Sequence, residues 1–256
     1  MHRFFINKIN LDETQKKAKI TDKNDIKHAS KALRIEIGEK IELCDQDGVE
    51  HICEVEHIES EFIECGVIKS AMNTRESNIE ITLFQGLPKA DKLEMIIQKT
   101  TELGVVSITP VQMKRCVAKW KDDKSAVKKL ERWNKIAFEA AKQSKRGRIP
   151  TVDNPLNVKQ LQNIISEYDL VVLPYENESA QGIGEVVSSV IQAPNDIKRI
   201  GIIIGPEGGF AEEEVELLTD AGAKSVKLGP RILRTETAGV VTVALMQFSL
   251  GDLGSL

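Results

Sequence analysis

From residue 78 onward the chain alternates short apolar runs with amphipathic stretches, and this alternation limits its architecture more than any other feature. NIEITLFQGL (78–87), VVSITPV (105–111), DLVVLPY (169–175), RIGIIIG (199–205) and SVKLG (225–229) read as strands. LERWNKIAFEAAKQS (130–144) and AEEEVELLTDAG (211–222) read as helices between them. A further helix is predicted from Asp91, with Asp91 as N-cap, Glu94 completing a capping box, and Gly104 as terminator. Leu93, Ile96, Ile97, Thr100 and Leu103 share its apolar face. Apolar strands interleaved with helices need a parallel sheet covered on both faces, so the class is α/β. The last segment, GVVTVALMQFSL (239–250), is apolar on nearly every side and must be buried in the core, in a subunit interface, or in both.

The first 72 residues follow another period. KIELCDQDGVEHICEVEHI (40–58) and EFIECGVI (61–68) alternate apolar and polar residues at period two, as half-buried strands do. Asp47-Gly48 between two such runs has hairpin-turn composition. KNDIKHASKALRI (23–35) reads as a short helix, and the polar stretch 70–78 reads as a boundary. The expectation is two domains, 1–72 and 73–256. No apolar run reaches the roughly 20 residues of a membrane span, and MHRFFINKIN lacks a signal-peptide core, so a cytoplasmic protein is expected. Cys44, Cys53, Cys65 and Cys116 form no CxxC pair and read as small buried hydrophobes. His51-Ile52-Cys53 alone makes no zinc site, and no metal is expected.

A net charge of −4 conceals an internal division. Residues 89–148 hold sixteen Lys/Arg against seven Asp/Glu, and residues 165–220 reverse the balance with two against twelve. The basic stretch is either a local polyanion site or a solvated helix face. Three strand ends carry the residues that chemistry could use: Leu173-Pro174, GPEGGF (205–210) and LGPRILRTETA (228–238). Glycines allow tight turns and close backbone approach to a ligand. Neither GxxxxGK[ST] nor GxGxxG is present, and Glu207 within the turn would repel a diphosphate, so a dinucleotide-dependent oxidoreductase is disfavoured.

These motifs resemble those of the RsmE family of ribosomal RNA methyltransferases in the SPOUT superfamily. IGPEGGF and LGPRILRTETA carry the resemblance most specifically, while MHRFF, HASKALRIEIGEKI, LPKADKLEMIIQKTTELGV and RWNKIAFEAAKQSKRGRIP extend it along the chain. The resemblance implies a PUA-like N-terminal β-barrel that binds RNA and a C-terminal α/β domain with a deep trefoil knot. It implies a homodimer that uses S-adenosylmethionine to methylate N3 of a uridine near the decoding centre of 16S rRNA.

Cofactor contacts carried over by the resemblance are Leu173 at one strand end and Gly205, Pro206, Glu207, Gly208 and Gly209 at the second. At the third they are Leu228, Gly229, Leu233, Arg234, Thr235, Thr237 and Ala238. S-adenosylmethionine carries no phosphate, which suits a turn with a carboxylate and no lysine. Glu207 and Glu236 could hold its amino end or backbone amides.

The target imide needs a general base or a cation beside its carbonyl oxygens. No histidine lies beyond His57, so Arg234 is the catalytic candidate in the second role, against support of the cofactor loop or a phosphate contact. Candidate RNA contacts are Arg3 and Arg34 in the first domain and Lys89, Lys92, Arg115, Lys142, Lys145, Arg146 and Arg148 in the second. Lys142 and Arg146 are expected to set part of the salt dependence of RNA binding. The competing reading is a non-catalytic RNA-binding module with a vestigial cofactor loop.

Overall fold

The computed structural model describes residues 1–120, 124–178, 181–191, 197–250, 253 and 254. Part of the basic stretch, residues 121–123, lies outside the described residues. The chain divides into two compact units. One comprises 1–76 and 141–149, the other 77–140 and 150–256, whereas the sequence suggested a single break after residue 72.

The first unit is a six-stranded sheet. Its strands are β1 (His2–Phe5), β2 (Leu11–Asp12), β3 (Lys17–Ile20), β4 (Lys40–Cys44), β5 (Val49–Ile58) and β6 (Ile63–Met72). Their order is β1-β4-β5-β6-β3-β2, with β1 parallel to β4 and the remaining pairs antiparallel. Gly48, at φ +91°, closes the β4–β5 hairpin as its Asp-Gly composition predicts. Strand β6 runs on to Met72, through residues read as the start of a linker. The error has a simple cause. Residues 68–72 are exposed, so no apolar alternation betrays the strand. Helix α1 (Lys23–Lys27) is capped by Asp22, whose side chain accepts from the N–H groups of Asn24 and Asp25; a wide helical turn over 28–33 follows. Phe4, Ile41, Leu43, Cys53, Val55, Ile63 and Cys65 form the core. Burial pushes the thiols of Cys53 and Cys65 up to about 12, in keeping with inert core residues.

The second unit holds seven strands: β7 (Glu80–Gly86), β8 (Ser107–Gln112), β9 (Thr151–Val152), β10 (Leu156–Asn157), β11 (Leu170–Pro174), β12 (Arg199–Ile204) and β13 (Lys224–Val226). All pairs are parallel, in the order β10-β8-β7-β12-β11-β13, with β9 beside β8. Six consecutive residues of β7 and five of β12 are buried. Successive side chains point to opposite faces, so both faces of the sheet are covered.

The helices are α2 (Lys92–Glu102), α3 (Lys124–Gln143), α4 (Val158–Ile164), α5 (Ile183–Ile191), α6 (Glu212–Asp220) and α7 (Thr235–Ser249). Helix α7 packs on α2, α5, β7 and β12. Helix α2 starts at Asp91 and stops before Gly104 at φ +91°, as predicted. The capping box does not form: the Asp91 side chain caps nothing, and Glu94 pairs with Arg132 instead. Helix α3 begins six residues earlier than the apolar pattern indicated, taking in the charged segment after residue 123.

Candidate active site

The register of the parallel sheet brings two chain segments into contact beyond its carboxyl edge. Ile204 pairs with Gln85, so Gly205 and Gly86 emerge at the same level. A Cβ on Gly86 would stand 2.6 Å from the Pro206 nitrogen and 2.9 Å from the Gly205 carbonyl carbon, which only glycine avoids. The 205–210 turn then closes through Gly209, at φ +66°, whose N–H donates to the Pro206 carbonyl at 2.9 Å. Phe210 fills the space beneath Gly205 and meets Tyr175 edge-on at 6.3 Å.

A buried polar chain ties three elements here. Gln85 Nε2 donates to Thr235 Oγ1 at 2.8 Å, and Thr235 Oγ1 donates to the Gly205 carbonyl at 2.6 Å. The end of β7, the end of β12 and the start of α7 are thereby held together. Gln85 is fully buried. This interaction explains why polar residues open a helix that otherwise looks apolar.

The three loops enclose a cleft of about 490 Å³. Pro174, Tyr175 and Glu176 line it from β11, and Ile204–Glu207, Gly209 and Phe210 from β12. Residues 227–235 and Ala238 form the third wall, with Lys92 at the rim. The place is the crevice beyond the strand ends, where open α/β sheets bind ligands.

Charge in the cleft is organised by Lys92. Its ammonium lies 3.2 Å from Glu207 Oε1 and 3.1 Å from Glu236 Oε2, and Glu207 Oε1 also accepts the Lys89 N–H at 3.1 Å. Burial pushes both carboxyls up, but backbone N–H groups and Lys92 outweigh it and hold them below the ordinary carboxylate range. The hydrogen bonds to Glu236 and then Glu207 hold the Lys92 ammonium above the usual lysine range. Lys92, expected to meet RNA, is thus a bridge between two loops expected to hold the cofactor.

Of the residues expected at the cofactor, Gly205, Pro206, Glu207, Gly209, Leu228, Gly229, Leu233, Arg234, Thr235 and Ala238 line the cleft. Leu173 does not; it is fully buried in β11, and the lining starts one residue later. Gly208 faces elsewhere: a Cβ there would meet Arg115 Cβ at 3.0 Å, and the turn's positive φ belongs to Gly209. Thr237 is exposed and absent from the lining. Tyr175, Glu176 and Lys227 line the cleft from outside the quoted motifs, and Arg231 and Ile232 line it from within LGPRILRTETA without having been named individually. The LP strand end pointed to the first two, but the pleat that buries Leu173 was needed to place them. Arg234 is exposed and stands at the N-cap of α7.

The RNA candidates separate by burial. Arg3 is 8% exposed and paired with Glu42 and Glu50, and Arg146 is 3% exposed and held by Glu76. Lys142 pairs with Asp25 and lies over the Phe4 ring. These three cations are paired within the first unit, Arg3 and Arg146 buried and Lys142 half-buried. Arg34, Lys89, Arg115, Lys145 and Arg148 are exposed. Arg115 Nη1 donates to the Gly208 carbonyl at 3.1 Å, and Lys114 pairs with Glu213, so the basic segment leans on the 205–214 turn. Among the described residues one trio, Glu56, His57 and Glu64, could hold a metal, but Lys17 and Lys19 already neutralise its carboxylates. No helix among the described residues is long and apolar enough to cross a membrane.

Residues 75–247 match the family model of an RNA methyltransferase domain, and residues 20–68 that of an RNA methyltransferase PUA domain. The α/β unit with its parallel sheet is therefore accompanied by a PUA-like domain. The ribosomal RNA small subunit methyltransferase E of Bacillus subtilis is 41% identical over 224 residues, covering 88% of this chain and 87% of that protein. Its counterpart in Mycobacterium tuberculosis is 35% identical, covering 84% and 80%. Among solved structures, a ribosomal RNA small subunit methyltransferase E from Neisseria gonorrhoeae bound to S-adenosyl methionine superposes with a TM-score of 0.83 at 29% identity, over 99% of both chains. A Legionella pneumophila protein solved with bound SAM gives 0.79 at 28% identity, over 96% and 97%. The chain belongs to the ribosomal RNA small subunit methyltransferase E family.

Proposed function

We propose that this chain transfers a methyl group from S-adenosylmethionine to N3 of a uridine near the decoding centre of 16S rRNA, in the cytoplasm. One observation carries the reading: both specific motifs, GPEGGF and LGPRILRTETA, fold onto a single cleft at the carboxyl edge of the sheet. The residues present fit the cofactor. The cleft has no phosphate-binding glycine loop, its turns offer backbone groups at Gly205 and Gly209, and Glu176 and Glu207 suit an ammonium group. S-adenosylmethionine, when bound, supplies the methyl group.

The chain's own residues bind and orient. Gly205, Gly209, Leu228, Gly229 and Leu233 offer backbone groups to an adenine edge, while Tyr175 and Phe210 supply ring surface. Arg234 presents a cation at the cleft and stabilises the negative charge on the uracil carbonyl oxygens as N3 loses its proton. Arg34, Lys89, Arg115, Lys145 and Arg148 hold RNA phosphates. The first-unit sheet closes as a barrel, a reading supported by the two register shifts that bend β5 against β6. The C-terminal α/β domain carries a deep trefoil knot, and two copies associate through α7. The exposed Phe248 and the half-exposed Val241 and Leu245 support that pairing. Light scattering is expected to report twice the 28.4 kDa chain mass.

The deciding experiment incubates the protein with S-adenosylmethionine and small subunits lacking the modification, followed by mass spectrometry of rRNA nucleosides. N3-methyluridine is the expected product. RNA binding without S-adenosylmethionine binding or methyl transfer would favour the RNA-binding module instead. In the same assay Arg234→Ala should lower the single-turnover rate about 100-fold while cofactor affinity stays within about threefold. Lost affinity with an unchanged rate at saturation would give Arg234 a structural role.

A further inference from the structure

Lys92 occupies a place that needs explaining. It is the first residue of α2, where the helix dipole disfavours a cation. The two carboxylates it touches come from separate segments, Glu207 from the turn after β12 and Glu236 from the first turn of α7. Both oxygens lie within 3.2 Å of one ammonium nitrogen, so without it two like charges would face each other across the rim of the cleft. The Gln85–Thr235–Gly205 chain ties the same two segments from beneath. Lys92 ties them at a second point and also lines the cleft.

We propose that Lys92 is a positioning residue for S-adenosylmethionine. It closes the cleft by neutralising Glu207 and Glu236 together, and it touches neither RNA phosphate nor the reacting atoms. The inference rests on the proposed cofactor. Removing the cation should part the 205–210 turn from the start of α7 through repulsion between the carboxylates. Removing one carboxylate as well should let the segments return. Lys92 and Glu236 are therefore expected to be strongly coupled in a double-mutant cycle, with the second substitution rescuing the first.

The test measures S-adenosylmethionine binding by calorimetry for the wild type, Lys92→Met, Lys92→Arg, Glu236→Gln and the Lys92→Met/Glu236→Gln pair. Amide exchange of residues 205–210 and 235–239 is followed in the free proteins. Lys92→Met is expected to bind at least about tenfold more weakly, with faster exchange in both segments. Lys92→Arg should stay within about threefold of wild type, because a guanidinium also spans two carboxylates. The double variant should recover most of the lost affinity and protection. Its salt dependence of RNA binding, and that of Lys92→Met, should match the wild type.

A wild type that fails to bind S-adenosylmethionine overturns the proposed function itself. If the wild type binds and Lys92→Met binds equally well, this inference alone is overturned. It also fails if Glu236→Gln deepens the loss, or if the log–log salt slope falls by about 0.7 to 0.9, the signature of one phosphate contact. Should Lys92→Met not fold, Lys92→Gln, which keeps a donor without the charge, enters the same cycle with the same expected outcomes.

Discussion

At the scale of single residues, close approach decides what the cleft can be. Gly86 lies at the end of β7, outside both signature motifs, yet it alone lets the 205–206 backbone pass. Gly86→Ala should displace that turn and cost about 1–3 kcal/mol, the usual range for overpacking. Urea unfolding should show a lower midpoint at unchanged slope, together with weakened cofactor binding. An unchanged midpoint would mean that the turn yields freely.

The Lys92 bridge makes a second prediction, in pH. Glu207 and Glu236 have lowered folded-state pKa values, so their contribution is present above the ordinary carboxylate value and lost as pH falls through the lower one. Lys92 has a raised value, so its contribution is present below the ordinary lysine value and lost as pH rises through the higher one. The stability difference between wild type and Lys92→Met should therefore stay level from about pH 5 to about pH 10, and narrow outside that window. A difference that changed steadily through neutrality would contradict the bridge.

At the scale of elements, the central strands of the parallel sheet, such as β7 and β12, were legible because each is a continuous apolar run buried on both faces. The elements that escaped include β9, β10 and the exposed end of β6, which have little apolar surface of their own, and also β1, β2, β3, α4 and α5. Helix α4 begins with a capping box between Asn157 and Gln160, a local signal available in the sequence. The two motif loops were legible as ligand loops from glycine content and position. Which residues face the ligand was not, because that depends on the pleat at Leu173 and on the φ of Gly209 rather than Gly208. Thr235 shows the same limit, since its partner Gln85 is far away in sequence. Thr235→Val should leave Gln85 Nε2 without that acceptor and cost about 1–3 kcal/mol. Thr235→Ser, which keeps the hydroxyl, should cost less, as thermal unfolding of the two variants would show.

At the scale of the whole molecule, burial separates cations that charge alone groups together. The Lys142–Arg148 stretch looks in sequence like a phosphate-binding patch, but Arg146 is spent internally. Its guanidinium meets Glu76 at 2.8 Å, and its carbonyl accepts from Arg3 at 2.5 Å. Arg146→Ala is therefore expected to destabilise the first unit by about 3–5 kcal/mol, the range for breaking a buried ion pair. The salt slope of RNA binding should not move. A stable variant with a flatter slope would restore the phosphate reading.

The return of residues 141–149 to the first unit also sets an order of events during synthesis. Glu76 accepts the N–H groups of Gly147 and Arg148, and Cys44 donates to the Gly147 carbonyl. A nascent chain that has only just passed residue 76 lacks every one of these partners. The N-terminal sheet cannot reach its final bonding while it is the only part made; it must wait until the ribosome has also delivered residues 77–149. Translation thus produces the earliest-encoded fold without its closing clasp, and the clasp arrives with helix α3.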